Sequence, residues 1–479
     1  MSMPFAAAGQ AGGDPRGDAA GRPHAGPGAV PGGGTARVRP SRGLRGTLRA
    51  PGDKSISHRA ALLAAAAGGR VVLEGYAPGM DAASTLACLA ALGVTVERPS
   101  PDRVILRSPG AGGWRPPAAP LDAGNSGTTM RLLLGLLAAR PFTATLTGDA
   151  SLRRRPMDRV AEPLRRMGAR IDGAEGGRYA PLTVRGGPLR GIHHDSPVAS
   201  AQVKSALLLA GLYAAGRTSV REPAPSRDHT ERLLPVFGVR VERDGTRVAV
   251  EGGQVLVAPP RLRIPGDPSA AAFYLAAGCL CPDSEITVLD VGVNPTRTGF
   301  LEVLDAMGAR IERRPVDPVE DGERDPAGGE PAAHLTARPA ELRAVDIGGD
   351  LVPRLIDEIP ILAVLATQAR GVTRIRDAAE LRVKETDRLR ALAEELARLG
   401  ARVEERPDGL DIYGPTRLRG AACSSRGDHR MAMALAVAGL VADGETVIAG
   451  AGAAAVSDPG FFHNLRRLGA EVHGVDEPA

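Results

Sequence analysis

Five short polar clusters in this chain, four of them with Lys or Arg, each stand at the threshold of an apolar run. Lys54-Ser55-Ile56-Ser57-His58-Arg59 precedes Ala60 to Ala67, and Gly124-Asn125-Ser126-Gly127-Thr128-Thr129 precedes Met130 to Ala139. Ser200-Ala201-Gln202-Val203-Lys204-Ser205 opens Ala206 to Ala215. Lys384-Glu385-Thr386-Asp387-Arg388 opens Leu389 to Leu399, and Asp428-His429-Arg430 opens Met431 to Val441. A helix N-terminus offers unpaired N–H groups and the positive end of its dipole, so it binds anions. The simpler alternative is that the Ser, Thr and Asp residues only cap helices. Capping explains the hydroxyls and carboxylates, but not Lys and Arg in a first turn, where a cation opposes the dipole. A ligand bringing negative charge would offset that cost.

The acid–base candidates are fewer. Asp357-Glu358 interrupts the apolar run Leu355-Ile356-Asp357-Glu358-Ile359-Pro360-Ile361. A buried carboxylate is costly unless paired or functional, and a raised pKa would suit one of the two as a base. Glu385, beside Lys384, is the other candidate, against the plainer reading of a surface ion pair. Lys54 follows Gly52-Asp53 without the Gly-x4-Gly-Lys frame of a nucleotide P-loop. The glycines of Gly124–Thr129 let backbone approach a ligand closely. Taken alone, Arg153-Arg154-Arg155 reads as a solvated charge run.

These clusters need elements to hold them, and the elements repeat. Six times an amphipathic stretch ends in an apolar residue, then Gly, then an alternating strand: at Leu92-Gly93, Met167-Gly168, Phe237-Gly238, Met307-Gly308, Leu399-Gly400 and Leu468-Gly469. The glycines are 75, 70, 70, 92 and 69 residues apart. Gly in the left-handed conformation closes a helix, and alternation after it predicts a half-buried strand. Each unit is therefore a small α/β fold of two helices and several strands. The long spacing contains Pro315 to Pro331, rich in Asp, Glu, Gly and Pro, which reads as a solvated insertion loop. A second repeat sets Leu48-Arg49-Ala50-Pro51-Gly52-Asp53-Lys54-Ser55 against Leu262-Arg263-Ile264-Pro265-Gly266-Asp267-Pro268-Ser269. These two segments predict equivalent crossings between two pseudo-symmetric domains of three units each. The expected division is 36–50 plus 265–479 for the first domain and 51–264 for the second, with the site in the cleft between them.

The composition agrees with a soluble globular protein: 479 residues, 43% apolar, 24% charged and a net charge of +5. That excess is too small and too dispersed for a nucleic-acid binder, and aromatics are only 3%. It fits arginines gathered around small anions, which they bind bidentately. Salt should therefore weaken ligand binding only modestly. Cys88, Cys279, Cys281 and Cys423 form no metal spacing and read as reduced core residues. No stretch reaches the ~18 apolar residues a membrane span needs. Residues 1–35 read as a disordered Gly/Ala/Pro tail without a secretory h-region, and Asp14 and Asp18 argue against a transit peptide. The expected location is the cytoplasm.

In combination and in order, these segments resemble the 5-enolpyruvylshikimate-3-phosphate synthases. The resemblance spans about Arg37 to Leu468 and rests on Pro51–Arg59, Gly124–Thr129, Arg155-Pro156-Met157, Ser200-Ala201-Gln202, Arg382–Arg388 and Asp428–Ala432. It implies the enolpyruvyl transferase fold, an inside-out α/β barrel of two domains, each of three βαββαβ units. It also implies addition of the 5-hydroxyl of shikimate 3-phosphate to C2 of phosphoenolpyruvate. A tetrahedral intermediate then loses phosphate and a C3 proton. No metal or organic cofactor is expected, and a monomer is the expected state.

Carried over by position, the resemblance implies that Lys54 touches both substrates and that Ser55 and Arg59 bind shikimate 3-phosphate. Ser200 and Ala201 would hold its phosphate with Arg227, and Gln202 would lie between the substrates. Asn125, Gly127, Arg155, Arg388 and Arg430 would bind phosphoenolpyruvate. Asp357 would orient the 5-hydroxyl and take its proton. Glu385 would exchange the proton at C3, with Lys54 as a competing candidate, and Lys384 would contact the shikimate moiety. Domain closure on shikimate 3-phosphate is also expected, with compaction visible in small-angle scattering.

Two positions depart from the pattern. Some members carry a lysine near the C-terminus where Val456 stands, ahead of Pro459, so one cation is absent or supplied elsewhere. A second Ser common in the phosphate loop is Ala201 here, leaving only its backbone N–H. Gly52–Ser55, Ser200–Lys204, Arg227-Asp228-His229-Thr230-Glu231 and Asn294-Pro295-Thr296-Arg297 resemble the second class of these synthases. That class includes members tolerant of glyphosate, with tolerance tied to Ala at the position of Gly127. The class thus points toward tolerance and Gly127 away from it. The rival UDP-N-acetylglucosamine enolpyruvyl transferases share fold and donor. Their loop cysteine acid and their Lys-Asn pair have no counterparts at Asp53-Lys54-Ser55.

Overall fold

The computed structural model describes residues 33–316, 319–320, 323–324 and 329–475. Among these residues the six helix-Gly-strand signals build six four-stranded sheets of one topology. In one unit, Leu121–Asp122 leads through a buried helix to Thr143–Thr147, its parallel neighbour. A second helix then leads to Arg170–Gly173, whose partner Tyr179–Arg185 returns between the two halves, antiparallel to both. The content, two helices and four strands, is that of the family unit, and the chain order here is strand, helix, strand, helix, strand, strand. All six repeat glycines carry positive φ, between 77° and 116°. A Cβ in that conformation costs roughly 1–2 kcal/mol, so Gly is the residue that turns each outer helix into its strand.

The first helix of each unit is inner and apolar almost all round. These are α1 (Lys54–Ala67), α2 (Gly127–Leu137), α3 (Ala201–Gly211), α4 (Pro268–Leu280), α5 (Ile359–Gln368) and α6 (His429–Gly439). A helix with no polar stripe must be covered on all sides. Accordingly α1–α3 pack together in one apolar core, within residues 56–264, and α4–α6 in another, from residues 36–50 and 270–472. Outer helices such as Asp158–Met167 and Arg388–Arg398 keep a charged face to solvent.

The chain passes between the cores at the two repeated segments, which lie against each other. Gly52 and Gly266 form an antiparallel bridge. The Asp53 N–H donates to the Pro265 carbonyl and the Asp267 N–H to the Pro51 carbonyl, both at 2.8 Å. This reciprocity is a local two-fold axis. Asp53 then caps α1 and Asp267 caps α4. Two sheets are completed from a distance. Arg261–Arg263 pairs with Gly69–Glu74, and Thr35–Val38 lies between Thr446–Ala449 and Val472–His473.

The tail reading for residues 1–35 falls mainly outside the described residues, although the strand Thr35–Val38 begins at its last position. Within Pro315–Pro331, expected to be a solvated loop, Val319–Glu320 pairs with Glu323–Arg324, and most of the remainder lies outside the described residues. The four cysteines are free and buried, and burial pushes their thiols up to about 12. No helix among the described residues is long and apolar enough to cross a membrane.

Candidate active site

The sequence clusters fall at helix starts, as the apolar runs predict, and each contains or directly follows a side-chain cap. Asp53 accepts from the Ile56 N–H (2.9 Å), Ser126 from the Thr129 N–H (3.1 Å) and Ser200 from the Val203 N–H (3.4 Å). Asp387 accepts from the Arg390 N–H (3.1 Å) and Asp428 from the Arg430 N–H (2.8 Å). The caps satisfy the helix termini. The neighbouring cations are left over for other work.

The densest charge lies around Arg388, only 1% exposed. Its Nε donates to Asp428 Oδ2 (2.7 Å), and its Nη2 donates to Glu385 Oε2 (2.7 Å) and Asp428 Oδ1 (3.3 Å). Nη1 is buried, makes no hydrogen bond, and stands 3.7 Å from Asp357 Oδ1. Arg430 Nε lies 4.0 Å from the same oxygen. From the other core, Arg227 Nη2 donates to Asp357 Oδ2 at 2.6 Å. Burial pushes the Asp357 pKa up, but Arg430, Arg227, Lys384 and Arg388 together hold it well below the usual carboxylate range. The raised pKa that an apolar sequence context suggested for a base is therefore reversed at Asp357. Arginines distant in the chain surround it, and they outweigh burial. Glu358 does sit above the usual range, chiefly through burial. It is turned to Ser269 and Arg297.

Glu385, 25% exposed at its side chain, is also held well below the ordinary range. Burial works against this, and Arg388, His429, Arg155 and Lys54 prevail. Lys384 Nζ donates to Glu380 at 2.9 Å. Lys54 Nζ donates to Asp81 Oδ2 at 2.9 Å. Burial lowers the Lys54 pKa, but Asp81 outweighs it and keeps the ammonium above its ordinary value.

On the second core, Arg155 Nη2 donates to Asn125 Oδ1 (2.6 Å), and Asn125 Nδ2 donates to Asp149 (2.7 Å). Gly127 is the first residue of α2, where an added Cβ would stand 3.0 Å from Arg131 Nη1 and 3.8 Å from Arg155 Nη1. Gln202 is held on both sides, its Oε1 by Arg131 and its Nε2 by donation to Thr128 Oγ1 at 2.9 Å. The Ser200 N–H donates to Glu222 (2.7 Å), and Ala201 opens α3 with its N–H group. Ser55 gives its carbonyl to Arg59 Nη1 (2.8 Å). Arg59 also donates to Thr230 (2.8 Å) and Ser205 (2.9 Å), so three of its five donors face protein.

Sequence reasoning missed three participants. Asp81 lies in the first turn of the helix Met80–Ala91, where an acid suits the dipole and carries no sign of a ligand role. Arg131 had one usable signal, a cation inside an apolar helix one turn after Gly127. Burial, with repulsion from Arg155 and Arg159, lowers it to about 10. His429 is buried, pushed down to about 4 chiefly by burial, and its charge acts on Glu385. The Val456 backbone lies beside Gly79, the residue before the helix that carries Asp81: a Cβ added at Gly79 would collide with the Val456 carbonyl oxygen. A cavity of about 550 Å³ beside the crossings is lined by Arg49, Pro51, Arg263, Asp290 and Asp458, and by none of these cleft residues.

The arrangement is a cleft of preorganised cations with carboxylates between them, suited to two anionic ligands and proton transfer. A family model described as EPSP synthase (3-phosphoshikimate 1-carboxyvinyltransferase) matches residues 38–465. The chain belongs to the EPSP synthase family. A 3-phosphoshikimate 1-carboxyvinyltransferase of Geobacillus kaustophilus is 54% identical over 432 residues, covering 89% of this chain and 98% of the relative. A Bacillus thuringiensis protein of the same name is 50% identical over 426 residues, covering 89% and 97%. Among solved structures, EPSP synthase from Acinetobacter baumannii superposes with a TM-score of 0.83 at 39% identity, covering 92% of this chain and all of that one. The enolpyruvyl transferase NikO from Streptomyces tendae superposes with a TM-score of 0.74 at 21% identity, covering 94% and 100%. The latter is a likeness of fold. The fold is thus two pseudo-symmetric α/β domains of three units each, with the helices inside.

Proposed function

We propose that this chain transfers the enolpyruvyl group of phosphoenolpyruvate to the 5-hydroxyl of shikimate 3-phosphate and releases phosphate, as an enzyme of aromatic biosynthesis. The observation that carries the reading is the ring of Arg227, Arg388 and Arg430 around Asp357. The ring includes a buried guanidinium nitrogen without a hydrogen-bond partner. A buried donor left unpaired is costly, and an anionic ligand would satisfy it.

In this mechanism Arg227, Ser200, Ala201, Ser55 and Arg59 bind shikimate 3-phosphate, and Lys384 contacts its ring. Arg388, Arg430, Arg155, Asn125 and Gly127 bind phosphoenolpyruvate, and Lys54 and Gln202 lie between the two. The 5-hydroxyl oxygen bonds to C2 while its proton passes to Asp357 and C3 gains a proton. The C2–O bond to phosphate then breaks and C3 returns its proton. Held well below the usual carboxylate range by its arginines, Asp357 is a weak base on its own. Two bound anions pair with its arginines and so raise its pKa toward that of the working pH. Glu385 exchanges the C3 proton. Lys54, kept protonated by Asp81, is the competing donor.

The same reading divides the chain into 36–50 plus 265–479 and 51–264, supported by the two apolar cores. It has the enzyme working in the cytoplasm as a monomer, without nucleic acid or membrane. Light scattering of the purified protein tests the monomer. The activity is tested by phosphate release with both substrates, with each alone, and with UDP-N-acetylglucosamine replacing shikimate 3-phosphate. Release that needs both substrates, and is lost in Arg388→Ala, is expected. Release only with the UDP-sugar would sink the reading.

A further inference from the structure

Two segments of the sequence have no part in the mechanism above beyond Arg227: Arg227-Asp228-His229-Thr230-Glu231 and Asn294-Pro295-Thr296-Arg297. They come from different cores, 63 residues apart at their nearest (231 to 294), and the fold brings them together. Asn294 Nδ2 donates to Asp228 Oδ1 at 2.7 Å and to Glu330 Oε2 at 2.8 Å. The other Glu330 oxygen lies 2.7 Å from His229 Nδ1. Asn294 Oδ1 accepts from the Thr296 N–H and hydroxyl, both at 2.8 Å, which fixes its own loop. The contacts are buried: His229 is 1%, Asn294 2% and Glu330 5% exposed.

The bridge is contiguous with the cleft on both sides. Arg227, which reaches Asp357, is the residue before Asp228. Arg297 closes the Asn294 loop and bonds Asp53 at 3.0 Å and Asp267 at 3.1 Å, the caps of α1 and α4. It stands 3.8 Å from Glu358, the residue after Asp357. A buried polar network that spans two cores adds little net stability, because desolvation offsets its attraction, but it fixes geometry.

We infer that Asn294 and Glu330, through Asp228 and His229, are positioning residues that hold Arg227 at the angle needed to receive the phosphate of shikimate 3-phosphate. This inference rests on the reading that Arg227 binds that phosphate. Asn294 and Glu330 touch no substrate. They set where the opposite domain presents its cation.

Steady-state kinetics and melting temperatures of Glu330→Ala, Glu330→Gln, Asn294→Ala and Arg227→Ala test it, with Leu164→Ala as a destabilised control remote from the bridge. Glu330→Ala and Asn294→Ala should raise the KM for shikimate 3-phosphate about tenfold, as misplaced binding groups do. The KM for phosphoenolpyruvate should stay within about twofold in the same variants. Gln keeps an acceptor for Asn294 and can donate to His229 Nδ1, so Glu330→Gln should recover most of the loss. If Glu330→Ala does not fold, the pair Asn294→Ala and Glu330→Gln carries the test. Leu164→Ala should lower the melting temperature without moving either KM. An unchanged shikimate 3-phosphate KM in Glu330→Ala and Asn294→Ala, beside a raised one in Arg227→Ala, overturns the positioning role alone. An unchanged KM in Arg227→Ala overturns the phosphate assignment and this inference with it.

Discussion

Asp357→Asn separates two roles that the geometry gives one carboxylate. The amide keeps the volume and an acceptor for Arg227, but it cannot take a proton. Loss of a general base lowers turnover by about 10²–10⁴-fold. The second effect has the opposite sign. Asp357 neutralises Arg388 at 3.7 Å and Arg430 at 4.0 Å, and it bonds Arg227 at 2.6 Å. A pair of unit charges 4 Å apart interacts by about 4 kcal/mol at an effective dielectric of 20. If only a quarter of that is released to an incoming anion, affinity rises about fivefold. The variant should therefore turn over slowly while binding phosphoenolpyruvate, in the presence of shikimate 3-phosphate, at least as tightly as the parent. Phosphate release gives the first quantity and calorimetric titration the second. Turnover within tenfold of the parent would refute Asp357 as the base. Binding weakened more than tenfold would refute the electrostatic argument, because it would mean the carboxylate organises the arginines instead of competing with the ligand.

Lys54→Ala should abolish turnover and destabilise the fold by about 2 kcal/mol, because it leaves Asp81 buried without its partner; Lys54→Ala with Asp81→Ala should restore the melting temperature but not the activity. Gly127→Ala places a Cβ 3.0 Å from a flexible guanidinium, so the fold should tolerate it while the KM for phosphoenolpyruvate rises about five- to thirtyfold, a cost of about 1–2 kcal/mol. Asp458 is raised from 3.8 to about 6 by burial, although it accepts from Tyr274 (2.6 Å). A raised carboxyl favours the fold fully below its unfolded pKa, and the contribution is lost as pH rises through about 6. Denaturant unfolding should thus show about 2 kcal/mol less stability at pH 8 than at pH 4 from this group, and Asp458→Asn should remove that slope. Asp357 and Glu385 act oppositely: held below the usual range, they stabilise the fold from neutral pH down to ordinary carboxylate pKa values, and their contribution disappears as pH falls through their depressed ones.

Much of this architecture was legible because it rests on local rules repeated six times. A Gly at positive φ after an amphipathic helix is visible in the chain, and so is the paired Pro-Gly-Asp at the crossings. The helix starts carrying Lys54, Gly127, Gln202, Arg388 and Arg430 were legible for the same reason. Asp81 was not, since an acid in a first turn already suits the helix dipole and only folding shows Lys54 beside it. Which of Asp357 and Glu358 burial would raise was not legible from their shared apolar neighbours: Glu358 is raised and Asp357 lowered. The electrostatic neighbours of Asp357 are Arg227, Arg388 and Arg430, brought from elsewhere. The Asn294–Glu330–His229 contacts likewise exist only once two cores meet.

The sheet that contains Thr35–Val38 has a consequence for how the chain is made. That strand pairs with residues 446–449 and 472–473, more than 400 positions later, so it must wait through nearly the whole of translation for its neighbours. Residues 56–264, by contrast, hold a complete core, and their closing strand Arg261–Arg263 returns to Gly69–Glu74. On the ribosome this middle portion has all its partners about halfway through synthesis and can fold then, as domains do. Its two ends finish side by side at Gly52 and Gly266, leaving the early strand tethered next to the place where the late half will assemble. A folded insert thereby shortens the effective loop that the first strand must close, and the entropic cost of that closure falls with it.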